Sequence, residues 1–270
     1  MPAPSEAAER ERGGRRRGLL YGRRKGPKLS AHRAALFETL LPRLKLDPRR
    51  DADPRIWFDS CVTDLWLEIG FGAGEHLLWQ AQHHPDVGII GAEPYEAGVA
   101  KLLSKLFSLS SSTGECWGEE DADTGSLSQD RGRGKHFNIR VYQGDARDVI
   151  EALADCSLGR LFILFPDPWP KKRHHKRRFI QTGMLDEFAR VLKPGAELRF
   201  ASDDPGYVEW ALEQFLAHRA FEWDAQRARD WRTRAADWPP TRYEEKALRG
   251  APVFLGFRRR HLQIPVSRRR

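Results

Sequence analysis

The chain has 270 residues and carries 46 Lys+Arg against 38 Asp+Glu, a formal net charge of +8, with 40% hydrophobic residues including 9 Trp and 14 Phe. That length builds one large domain or two small ones around a real core, and the apolar content excludes a wholly disordered chain. No apolar run approaches the roughly 18 residues that span a bilayer, and three Cys (Cys61, Cys116, Cys156), none in a Cys-x-x-Cys pair, argue against a disulfide framework or a Cys-based zinc site and fit a reducing compartment.

Residues 1–28 hold nine basic and three acidic residues, few apolar ones and several Gly and Pro, which reads as a disordered basic arm. The arm has no apolar h-region, so it does not read as a secretory signal, and Glu6, Glu9 and Glu11 weaken a transit-peptide reading. Ser30 is placed to cap a helix through Leu36, Phe37, Leu40 and Leu41, and 47–60 is a connection. Asp64–Ile69 then reads as a buried strand, 75–84 as a helix, Val87–Ala92 as a strand and 96–109 as a helix. The stretch 110–136 is polar and Gly-rich, too long for an ordinary connection, and is expected to be a mobile insertion. Asn138–Tyr142 is a strand, 146–154 a helix, Arg160–Phe165 a strand, and 178–192 a helix closed by Lys193-Pro194-Gly195. Glu197–Ala201 is a strand, 204–218 a helix, and Phe221–Trp223 and Val253–Phe257 are closing strands. The tail 258–270 has six basic and no acidic residues, so the body, 29–257, has a net charge of −4. Basic ends around an acidic body point to a polyanion at the edges, although such tails also serve solubility alone.

Alternating strands and helices imply an α/β fold, a mostly parallel sheet with helices on both faces, whose ligands sit beyond the carboxyl ends of the strands. The first strand runs into Glu68-Ile69-Gly70-Phe71-Gly72-Ala73-Gly74. Glycines let backbone turn sharply and approach a ligand. A dinucleotide site needs G-x-G-x-x-G, but Glu75 occupies the third glycine's place, where a pyrophosphate would meet a carboxylate. A cationic ligand without phosphate, such as S-adenosylmethionine, suits this loop better. Glu93 ends the second strand, where an acid reaches ribose hydroxyls, and Asp145 follows the third, where it bonds an adenine amino group or caps the next helix. Three strand-end acids in order read as the nucleoside edge of a methyltransferase. The fourth strand ends in Pro166-Asp167-Pro168-Trp169-Pro170, which holds Asp167 on a stiff loop. Directly after it, Lys171 to Arg178 carries six fixed positive charges and His174-His175, a phosphate-binding cluster in an otherwise acidic body. These two His make poor metal ligands among so many cations, and no metal is expected.

The combination of Leu67-Glu68-Ile69-Gly70-Phe71-Gly72, Phe165-Pro166-Asp167-Pro168-Trp169, the Lys171 to Arg178 run, Ala201-Ser202-Asp203 and Thr241-Arg242-Tyr243-Glu244-Glu245-Lys246 resembles the bacterial tRNA (guanine-N7)-methyltransferases over about 60–257. The resemblance implies a Rossmann-like class I fold with a seven-stranded sheet, S-adenosyl-L-methionine as cofactor, and tRNA as partner, methylated at guanine 46 of the variable loop in the cytoplasm. It implies cofactor contacts from Glu68, Gly70, Gly72, Gly74, Glu93, Asp145 and Asp167, with Asp167 also catalytic. Substrate contacts fall on Lys171, Asp203, Thr241, Arg242, Tyr243 and Glu244, and RNA contacts on Arg173, His174, His175, Lys176, Arg177 and Arg178. Arg242 stands where the family usually has Lys, which keeps charge but not head-group shape. The insertion and the basic ends are not general family features and inherit no role, and monomer and homodimer both remain open.

Guanine N7 offers a lone pair and no proton, so positioning and electrostatics outweigh base catalysis. Two other readings stay open: methylation of an exocyclic amino group, whose enzymes use an acid-Pro-Pro-aromatic loop, and a non-enzymatic RNA-binding relative. If the arm binds RNA by charge, deleting 1–28 lowers tRNA affinity and flattens its salt dependence; filter binding across a salt series checks this, and an unchanged slope refutes it.

Overall fold

The computed structural model describes residues 24, 26–48, 54–58, 62–112, 138–246 and 248–261. The expectations for most of the arm, for 113–136 of the insertion and for 262–270 of the tail lie outside the described residues.

The helices are α1 (Ala31–Thr39), α2 (Leu41–Leu44), α3 (Glu75–His83), α4 (Glu96–Ser112), α5 (Ala146–Ala152), α6 (Thr182–Val191), α7 (Pro205–Ala217), α8 (Ala228–Arg232) and α9 (Arg242–Lys246). The strands are β1 (Asp64–Ile69), β2 (Val87–Ala92), β3 (Ile139–Tyr142), β4 (Leu158–Leu164), β5 (Leu192–Ser202), β6 (Phe221–Trp223) and β7 (Val253–Arg259). They form a seven-stranded sheet in the order β3-β2-β1-β4-β5-β7-β6. The pairs from β3 to β5 are parallel, and β7 runs antiparallel to both β5 and β6. Order reverses between β1 and β4, so the chain leaves these neighbours towards opposite sides and opens a crevice at their carboxyl ends. Because β7 is reversed, its first residue, Val253, pairs with Ser202, the last of β5. The segment before β7 therefore arrives at that same edge.

Period-two alternation divides β1 between two cores. Leu65, Leu67 and Ile69 pack with Val149 and Ile150 of α5, Phe188 of α6 and Phe215 of α7. Trp66 packs on the other side with Leu36 of α1, Leu77 of α3 and Leu102 and Leu106 of α4. Ser30 caps α1 as the sequence implies, accepting from the Arg33 N–H.

Three departures from the sequence reading have local causes. The helix ends at Val191, just ahead of Lys193-Pro194-Gly195 as expected, but the strand expected from Glu197 already begins at Leu192 and runs through that segment. The register shifts between Leu158 and Arg160 on β4, and Gly195 at φ +79° accommodates the irregularity opposite. The helix expected from 178 starts at Thr182, because Lys172–Arg177 forms a 3₁₀ turn of its own. The five-residue helices α8 and α9 were not expected, since one turn is too short to show helical periodicity. Phe200 lies fully buried in β5 with its ring edge-on to Tyr207. Phe200→Ala should cost about 3–5 kcal/mol, read as a lower urea midpoint at unchanged m-value.

Candidate active site

The site forms where β1, β2, β3 and β4 end. The ladders continue one residue past the strands: Gly70 N–H donates to Ala92 O (2.8 Å) and Glu93 N–H to Tyr142 O (3.0 Å). Phe165 N–H likewise donates to Ala201 O (2.8 Å). This brings the glycine loop, Glu93 and the Pro166–Pro170 loop to one edge.

Gly72 has φ +57°, and a Cβ there would stand 2.8 Å from Cε2 of Tyr243, so only glycine lets α9 close over the loop. From the other side, Gly98 of α4 packs so closely that a Cβ on it would meet Gly72 O at 2.5 Å. Glu93 fixes the loop from below: one carboxylate oxygen accepts from Gly72 N–H (2.7 Å) and the other from Tyr95 N–H (2.8 Å). Burial pushes the Glu93 carboxyl above its ordinary range, and these two N–H groups work against that shift. Asp145 caps α5 by accepting from Arg147 N–H (3.1 Å) and pairs with the Arg147 guanidinium at 2.9 Å.

Between these groups lies a cavity of about 350 Å³. Of the residues expected at the site, its wall holds Gly70, Gly72, Glu93, Asp145, Asp167, Arg177 and Tyr243. A Cβ on Gly70 would meet nothing within 4 Å, so its backbone borders open space there. Asp167 is exposed, and no described residue bonds or pairs with it. Its loop is bracketed by Phe165 at φ +51° and Trp169 at φ +46°. Left-handed backbone at such side chains costs about 1–3 kcal/mol each and persists only where the surroundings dictate it. Burial, then the charges of Glu93 and Asp167, raise the Tyr243 phenol, which keeps its proton at neutral pH.

Other expected residues stand off the wall. Glu68 is 3% exposed, and its carboxylate lies 2.8 Å from His76 Nδ1 beneath the loop. Gly74 starts α3. Asp203 accepts from Arg249 N–H (3.1 Å), and buried Thr241 starts α9 by accepting from Glu244 N–H (3.3 Å). Glu244 accepts from Arg234 Nε (3.0 Å), and Arg242 is exposed.

The basic run divides by exposure. Lys171, Arg173 and Lys176 face solvent, whereas His174 and His175 pack edge-on against Trp169 and Trp210. Desolvation, then Arg177 and Arg173, lower the His174 imidazole from its ordinary value, which favours its neutral form. Arg178 departs from the expectation of an RNA contact. It is 2% exposed and turned inward, because its guanidinium has carbonyl partners at Pro168 and Gly206. The sequence reading also passed over Arg147 and Phe179, which line the cavity with the guanidinium carbon 4.9 Å from the ring centroid. Arg147 was findable two residues after a strand-end Asp; Phe179 arrives only through tertiary packing.

Residues 63–253 match a family model described as a putative methyltransferase. A tRNA (guanine-N(7)-)-methyltransferase of Rhodospirillum rubrum is 49% identical over 248 residues, 89% of this chain and 88% of that protein. Proteins of the same name from Paramagnetospirillum magneticum and Chelativorans sp. are 45% and 43% identical, covering 94% and 88% of this chain and 95% and 94% of their own lengths.

Gly72→Ala forces a side chain against Tyr243 in a backbone conformation that alanine resists. S-adenosylmethionine affinity should fall about tenfold or more, as 1.4 kcal/mol of strain requires; titration calorimetry checks it, and an unchanged Kd contradicts the packing.

Proposed function

The chain belongs to the tRNA (guanine-N7)-methyltransferase family, and on that premise we propose that it methylates guanine 46 in the variable loop of tRNA, acting in the cytoplasm. The observation that carries the site assignment is Asp167: an exposed carboxylate with no partner among the described residues, on a strained proline loop in the wall of the cavity that the glycine loop opens.

S-adenosyl-L-methionine, when bound, supplies a methyl group on a sulfonium and brings no phosphate. The residues present fit it. Open backbone at Gly70 and the acids Glu93, Asp145 and Asp167 favour a cationic nucleoside over a pyrophosphate. Gly70, Gly72, Glu93 and Asp145 hold the cofactor in this reading, with Glu93 acting also through the loop it ties down.

Guanine N7 attacks with its own lone pair, so no residue has to remove a proton. Asp167 orients the base by accepting from guanine N1–H and the amino group. Its negative charge then stabilises the positive charge that grows on the ring. Tyr243 walls the same cavity and keeps water from it. Exposed Lys171, Arg173 and Lys176 hold flanking phosphates, contacts that position RNA without reading its sequence. The target base has to leave the tRNA body to reach the cavity.

Incubation with labelled S-adenosylmethionine and unmodified tRNA, followed by mapping of the modified nucleotide, tests the reaction and its position. The expected product is base-labile N7-methylguanine at 46; label in base-stable N6-methyladenine refutes it. Asp167→Ala should lower kcat by about 100- to 1000-fold, as loss of one electrostatic contact to a transition state does. A folded variant with near-normal kcat removes Asp167 from this role.

A further inference from the structure

The proline loop poses an anchoring problem. Pro166, Pro168 and Pro170 have no N–H, so three of its five residues cannot donate to the fold, and its carbonyls outnumber its donors. A buried donor is the complement such a loop needs, and Arg178 is in that position. Its Nε donates to Pro168 O (2.9 Å), the carbonyl of the residue directly after Asp167. Its Nη1 donates to Gly206 O (3.0 Å) in the first turn of α7. The guanidinium carbon sits 5.0 Å from the ring centroid of Tyr207 and 5.5 Å from that of Trp210. The Tyr207 hydroxyl accepts from the N–H groups of Phe179 (3.0 Å) and Ile180 (3.3 Å), which fixes the chain that follows Arg178 on the same ring.

We propose that Arg178 is a positioning residue for Asp167, acting from inside the protein through the Pro168 carbonyl, and is not among the RNA contacts. The proposal rests on the reaction given above. One planar head group bonds two carbonyls on two elements while stacked on aromatic faces. A lysine ammonium has donors but neither the planar fork nor the stacking face. With the left-handed residues at 165 and 169, this grip restrains the backbone that carries Asp167 at the cavity wall. The run of basic residues therefore does two jobs: its exposed members meet phosphate, and its last member sets the loop.

Steady-state kinetics with tRNA, paired with binding across a salt series, tests this. Arg178→Lys should lower kcat by about 100-fold, the scale of a misplaced catalytic group, while KM for tRNA and the salt slope stay near wild type. Arg173→Ala should raise KM for tRNA and reduce the slope by about one unit, as a lost phosphate contact does. Tyr207→Phe keeps the ring but frees the Phe179 and Ile180 N–H groups. It should show the same pattern with a smaller fall in kcat, and it serves as the readout if Arg178→Lys does not fold. The proposal is overturned by unchanged kcat in a folded variant, or by a raised KM with a shallower slope for Arg178→Lys. A wild-type protein that leaves tRNA unmethylated would refute the reaction itself, and the proposal with it.

Discussion

The two hydrogen bonds that the Glu93 carboxylate accepts, from Gly72 and Tyr95, join the end of β2 to the loop after β1. The ladder itself reaches only as far as Gly70 N–H to Ala92 O, and Glu93 carries the link on to the turn at Gly72. A carboxylate buried there needs donors, and the loop's N–H groups need an acceptor, so each side satisfies the other. Such charge-assisted bonds contribute about 1.5–3 kcal/mol each. With the loop held from below, Gly98 can approach Gly72 from one side and Tyr243 from the other.

A different restraint governs the opposite wall. The glycine loop is held by donors of its own meeting an acid, whereas the proline loop has few donors and is held through a carbonyl by a cation. The two anchors have opposite charge, and Glu93 stands in the cavity wall while Arg178 lies buried behind it. Neither pairs with Asp167, which has no ion-pair partner among the described residues. Burial, and to a lesser degree Asp167, raise the Glu93 carboxyl, while Arg147 offsets Asp145 on the same wall.

Much of this was legible before any coordinates. The apolar runs of β1 and β2 are bounded by a glycine turn and by Glu93-Pro94, and both strands span the residues expected. Strand-end acids could be found because the topology of an open α/β sheet fixes where ligands sit. What stayed hidden depends on direction rather than identity. Glu68 and Arg178 have the residue types of ligand contacts, yet one lies beneath the loop on His76 and the other faces into the fold. Exposure along a six-residue 3₁₀ turn cannot be counted off from composition. The Lys193-Pro194-Gly195 segment reads as a helix stop by its chemistry, and only the pairing of β4 with β5 draws it into a strand.

The reversal of β7 has a consequence for how the enzyme comes into being. The glycine loop follows the first strand, but Tyr243, which closes over it, sits just ahead of the last. A nascent chain emerges amino end first. It can complete β1 to β4 long before the cover of the cavity has left the ribosome. Tyr243 reaches Gly72 from the short helix just ahead of β7. The cover of the cavity is thus among the last segments synthesised, and a chain truncated ahead of α9 has the glycine loop without it.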